Sequence, residues 1–229
     1  MCFTPIVSLS TAIIEWILAT ILIVFFKKTN LRIYFAGLIY VLGLYQYTEF
    51  MLCTTGYPLL WAKIGFITYT FLPAMALHSV LRVLKRNAKL IWIYLIPILT
   101  SLIAIITSNF IASAECTSLF VQVRIVLMEQ SGIIQNMAYW IYMLYYFGFL
   151  VIALGFILKD YFRQRSKIKK EIEIVEIVGA FMMLGPTLLL VVILPYLDAR
   201  FPSILCGFAI FFAIATFVIA YLETKLKKS

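Results

Sequence analysis

Seven stretches of roughly twenty apolar residues run through the chain, each bounded by a polar break: 6–26, 33–55, 61–84, 90–108, 136–158, 174–195 and 203–222. An α-helix rises about 1.5 Å per residue, so about twenty apolar residues cross a hydrocarbon layer roughly 30 Å thick. The pattern predicts an all-α fold: a polytopic membrane protein whose seven transmembrane helices form one domain over residues 1–229. One segment departs from it. Between 109 and 135, Leu119, Val121, Val123, Ile125 and Leu127 alternate with Phe120, Gln122, Arg124, Val126 and Met128. A period of two reads as a strand, in a short β-hairpin. Such a hairpin would lie across one mouth of the bundle as a lid; a plain connecting loop is the alternative. Pro73, Pro97 and Pro186 fall inside spans 3, 4 and 6, where each removes an amide donor and favours a kink.

Composition narrows the class. Apolar and aromatic residues make up 64% of the chain and charged residues 13%, against about a quarter charged in soluble domains. A soluble enzyme, a disordered tail and a disulfide-rich mini-protein are excluded. The net charge is +9, but the basic residues mark topology rather than a nucleic-acid surface, since cytoplasmic loops of membrane proteins retain Lys and Arg. Sixteen of the 19 basic residues fall in one alternating set of breaks, around 27–32, 82–89, 159–170 and 225–228; Lys63, Arg124 and Arg200 fall in the other. This predicts the N-terminus outside and the C-terminus in the cytoplasm. The first span carries Lys27 and Lys28 behind it and no basic residue ahead, the reverse of a secretory signal peptide. The 159–173 break is either a basic collar on anionic lipid or a docking site for a partner.

Ionisable groups within the hydrocarbon are costly and carry a functional expectation. Glu15 in span 1 and Glu49 in span 2 lie at depths of roughly 13 Å and 9 Å from the outer side. On span 2, Tyr45, Gln46, Glu49 and Cys53 form one polar stripe, and on span 5 Tyr139, Tyr142 and Tyr146 form another. Tyr69 adds a phenol on span 3. Together Glu15, Tyr45, Gln46, Glu49, Tyr69, Tyr139 and Tyr142 would line an outer-facing cavity suited to a cation with an apolar body. The competing reading pairs Glu49 with Lys63 and locks span 2 to span 3. His78, the only histidine, is either a packed side chain or a proton relay.

Cys2, Cys53, Cys116 and Cys206 all fall on the expected outer side, where disulfides are permitted. Spans 1, 2 and 7 are neighbours in a closed ring, which favours Cys53–Cys206 with Cys2–Cys116; free thiols are the alternative. No His-Glu-x-x-His, Gly-x-Ser-x-Gly or Gly-rich phosphate loop occurs, and the last span has no Lys for a retinal Schiff base. No metal, cofactor or catalytic residue is expected.

The stretch LIYVLGLYQYTEFMLCTTGYPLLWAKIGFITYTFLPAMALHSVL carries an acid in helix 2 (Glu49), a Trp-Ala-Lys start to helix 3 (Trp61, Ala62, Lys63) and a Leu-Pro pair (Leu72, Pro73). LIPILTSLIAIITSN and SLFVQVRIVL follow, then a Tyr-rich fifth span. The layout resembles the N-terminal seven-transmembrane region of bacterial and archaeal histidine kinases. The resemblance implies a sensor module in a prokaryotic cytoplasmic membrane, taking an extracytoplasmic or membrane-borne small molecule. Only seven residues follow span 7, so the expectation is a stand-alone receptor-like module read by a cytoplasmic or membrane signalling partner. A proton-coupled transporter using Glu15, Glu49 and His78, and an assembly subunit, are the alternatives.

Overall fold

The computed structural model describes residues 5–26, 32–86, 89–116, 121–126, 133–163, 170–181 and 205–226. It is mostly helical. The helices are α1 (Pro5–Phe25), α2 (Arg32–Thr54), α3 (Pro58–Val83), α4 (Leu90–Ile106), α5 (Ile133–Arg163), α6 (170–181) and α7 (Leu205–Leu226). Helix α3 begins on Pro58, whose missing amide donor is harmless in a first turn, and continues through Pro73. Helix α5 runs five residues beyond its expected end at 158, and α6 begins at 170, so the basic 159–173 break is partly helix. Pro186 and the remainder of span 6 lie outside the described residues.

Helix α3 is central. It packs on α2, α4 and α5, while α2 packs on α1 and α7, and α1 also touches α7. Two glycines set the closest approaches. A Cβ on Gly43 would stand 2.7 Å from Nε1 of Trp16, and one on Gly65 would stand 2.8 Å from Oγ1 of Thr48. Glycine is what lets α1 meet α2, and α2 meet α3, at these points.

Helices α1 and α3, and Met137–Arg163 of α5, are long and apolar enough to cross a membrane. Shorter apolar helices are Leu90–Ile106 and Ile210–Ile219. Helix α2 is long but more polar, and part of its polar set turns inward: Gln46, Thr48 and Glu49 are buried. Large apolar side chains cover outward faces, among them Ile17, Leu99, Leu102, Leu144 and Phe211. This arrangement fits a membrane protein, since a soluble surface rarely carries so continuous an apolar cover.

The period-two segment forms a strand. Strand β1 (Ile111–Cys116) pairs antiparallel with β2 (Val121–Ile125), with Ile111 opposite Ile125, Cys116 opposite Val121, and an irregularity between Ile111 and Ser113. Residues 119, 120, 127 and 128 of the alternating pattern lie outside the described ones. The amide of Val126 donates to the Phe110 carbonyl and closes the base of the hairpin. Phe110, Ile111, Val121 and Ile125 are buried in one cluster with Phe66, Tyr69, Tyr142 and Tyr146. The hairpin is thus packed onto α3 and α2; the end it covers is the hairpin end, and the opposite one the far end.

Candidate functional site

The expected disulfides, Cys53–Cys206 and Cys2–Cys116, give way to Cys53–Cys116. The chain leaving α4 folds back over α2 and α3, and this carries the last residue of β1 to within 5.7 Å, Cα to Cα, of the last turn of α2. Ring neighbours alone could not reveal that fold-back. Cys2 and the Cys206 side chain lie outside the described residues. Lys63 secures the same connection by donating to the Thr107 carbonyl at 2.9 Å. It therefore braces the exit of α4.

Beneath the hairpin, aromatic rings follow one another into the bundle. Phe110 lies 4.9 Å from Phe66, centroid to centroid, and Phe66 stacks on Tyr142 at 5.5 Å. Tyr142 lies 6.2 Å from Tyr146, which stacks on Tyr69 at 4.5 Å; Tyr69 lies 5.7 Å from Tyr45. The Tyr69 and Tyr146 hydroxyls share a hydrogen bond, and the Tyr45 hydroxyl donates to the Glu49 carboxylate. The Tyr142 hydroxyl shares a 3.0 Å hydrogen bond with Thr70 Oγ1, and Tyr145 donates to the Thr70 carbonyl at 2.7 Å. That carbonyl lies in the turn ahead of Pro73, so α5 serves an acceptor next to the interrupted stretch of α3.

The series ends on an acid layer. Glu15 and Gln46 are fully buried and Glu49 nearly so. Glu15 and Glu49 are close enough to act on each other electrostatically. Both Glu15 carboxylate oxygens, and both polar atoms of the Gln46 amide, have no hydrogen-bond partner among the described residues. Burying such groups without a complement costs several kcal/mol, on the order of 2–7 for an amide, and the unmet set holds acceptors on Glu15 and both a donor and an acceptor on Gln46. Glu15, Gln46, Glu49, Tyr45, Tyr69 and Tyr142 therefore share one region. Tyr139 stands apart: it is half-buried and its ring lies against Trp140.

His78 belongs to a different cluster, in the far half of α3. Nε of Arg82 donates to His78 Nε2 at 3.1 Å, and His78 Nδ1 lies 3.0 Å from the Tyr94 hydroxyl. Because an arginine nitrogen can only donate, Nε2 is the acceptor and Nδ1 carries the proton toward Tyr94. Tyr34 packs edge-on to His78 at 5.0 Å, and the Arg82 guanidinium lies over the Tyr34 ring at 5.5 Å.

Sequence reasoning missed Thr70 and Tyr145, which brace the phenols, and the buried acids Glu173 and Glu176 on α6. The signal for the acids was present: Ile172, Val175, Glu176 and Gly179 follow i, i+3, i+4, i+7 spacing, an inward face that starts before the apolar run. Among the described residues, no group of three or more His, Cys, Asp or Glu is placed to hold a metal ion. No family model, curated protein or solved structure matches the chain.

Proposed function

We propose that this chain is a receptor-like sensor of the membrane, a seven-helix bundle with its N-terminus outside and its C-terminus in the cytoplasm. The split of basic residues between alternating breaks supports the orientation. The ligand is a small cation with an apolar body, held by Glu15, Gln46 and Glu49 and walled by Tyr45, Tyr69 and Tyr142. The observation that carries the reading is the pair of fully buried side chains, Glu15 and Gln46, whose polar atoms find no hydrogen-bond partner among the described residues, beside a second buried acid.

The mechanism is a shift between two helix arrangements biased by ligand binding. The phenols join α2, α3 and α5, so a change at the acid layer reaches α5 and the basic segment after it, where a signalling partner reads it. The resemblance to kinase sensor regions agrees with this role. Native mass spectrometry of protein purified in mild detergent tests it. A reproducible extra mass should accompany the wild-type chain and be lost in the Glu15→Gln and Glu49→Gln variants. A bare polypeptide mass in every sample, or an extra mass indifferent to both substitutions, overturns the reading.

A further inference from the structure

The single histidine of the chain meets a cation, where a carboxylate or a carbonyl is the common partner. His78 and Arg82 lie one turn apart on α3 and are both half-buried, so water reaches the pair. Arg82 is the one charged group acting on the imidazole among the described residues. The helices packed on α3 bring neutral groups to this level. Tyr34 comes from α2 and Tyr94 from α4; α5 brings Phe149 and Phe156, with Tyr145 near enough to Tyr94 to act on it. The charges closest in sequence to these groups are engaged or turned outward. Arg32 donates to the Ile23 carbonyl of α1 at 3.2 Å, Arg86 lies over Phe156, and Lys89 is exposed. Glu176 of α6 borders a small apolar cavity that α3 reaches with Ala76, Ser79 and Val80; on a period of 3.6 these three lie away from His78.

A neutral imidazole has one donor and one acceptor, an imidazolium has two donors, and a guanidinium has donors only. The bond from Arg82 Nε to His78 Nε2 therefore exists only while the ring is neutral. A proton taken from water at Nε2 would set two N–H groups and two positive charges against each other across 3.1 Å. The bond from Nδ1 to Tyr94 survives that change, because Nδ1 already carries hydrogen. Arg82 is the group that must leave, and with it goes its contact with the Tyr34 ring of α2. We propose that His78 and Arg82 form a pH-sensitive latch joining α3 to α2, closed while the imidazole is neutral and opened when it takes a proton. Histidine is the side chain whose charge ordinarily changes between about pH 5 and 8. The latch lies at the far end, apart from the acid layer, and acts without a ligand there.

NMR on the full chain in detergent micelles, isotopically labelled and titrated from about pH 8 down to about pH 5, tests the assignment. With one histidine in the sequence, its ring signals are unambiguous; the Arg82 Nε–H signal is identified by its loss in Arg82→Gln. At high pH the neutral ring should carry its proton on Nδ1. As the pH falls, the ring signals, the Arg82 Nε–H signal and the backbone amides around Tyr34 should shift with one common midpoint. His78→Gln keeps an acceptor for Arg82 and takes no proton in this range, so the Arg82 and α2 signals should then be independent of pH. Should His78→Gln fail to fold, Arg82→Gln serves in its place: the ring still titrates, there is no cation to expel, and the α2 response should collapse. The proposal is overturned by a neutral ring protonated on Nε2, by a ring that stays neutral throughout, by ring titration with the Arg82 signal unmoved, or by an undiminished α2 response in His78→Gln or Arg82→Gln.

Discussion

The two ends of the bundle use the same residue types to different effect. At the hairpin end, acids, phenols and glycines are packed without slack: Gly43 and Gly65 sit against neighbours where no Cβ fits, six rings follow one another at 4.5–6.2 Å, and a disulfide closes the cover. At the far end, small residues leave space. Ala76, Ala153, Ala180 and Ala215 line an open cavity, and a Cβ on Gly179 would meet only ordinary contacts at 3.6 Å and beyond. Cations there rest over rings, with Arg86 4.7 Å from the centre of Phe156 and Arg82 over Tyr34. An identical glycine thus has opposite meanings: at one end it permits contact, at the other it leaves room. A buried acid differs likewise, Glu49 among phenols and Glu176 in an apolar wall.

The largest expected effect tests the covalent closure. Replacing Cys53 and Cys116 with Ala reopens a link between residues 63 apart in sequence; the chain-entropy relation puts the loss at roughly 4 kcal/mol. Unfolding in detergent should show it, and hydrogen exchange should show loosening concentrated in 107–126. Uniform loosening would break the contrast between the ends. Next, Gly43→Ala should cost about 1–3 kcal/mol, as overpacking does, by displacing Trp16 from the Tyr40 carbonyl it holds at 3.3 Å. Its counterpart sharpens the comparison: Gly179→Ala should stabilise by about 0.5–1 kcal/mol, through a smaller loss of backbone freedom in the helix. If both substitutions move the unfolding midpoint the same way, the two ends do not differ in packing as described. An effect of similar size belongs to Tyr145→Phe, which removes the hydrogen bond to the Thr70 carbonyl and should cost about 1 kcal/mol. The same substitution combined with Thr70→Val should show non-additivity in a double-mutant cycle, because Thr70 also holds Tyr142.

Much of the acid layer was legible from spacing. Gln46 and Glu49 lie one turn apart on α2, and the depth count brought Glu15 to a similar level. The phenol series was only partly legible, because stacking depends on how α5 rotates against α3. That rotation places Tyr142, Tyr145 and Tyr146 inside and leaves Tyr139 beside Trp140. Glu173 was assigned to a solvated break because its neighbours are basic; α6 begins earlier than the apolar run and turns it inward.

By itself, the sequence determined the helical character, the apolar length of the helices and the strand-like period around 121–125, since these follow from local composition and from periods of 3.6 and 2. Only the tertiary structure decided that Cys53 meets Cys116, that Lys63 serves the Thr107 carbonyl, that His78 accepts from Arg82, and that the far end leaves a small apolar cavity. Each of these is set by where chain segments distant in sequence come to rest. That depends on the packing of whole helices and on the fold-back of one hairpin, and no local pattern encodes either.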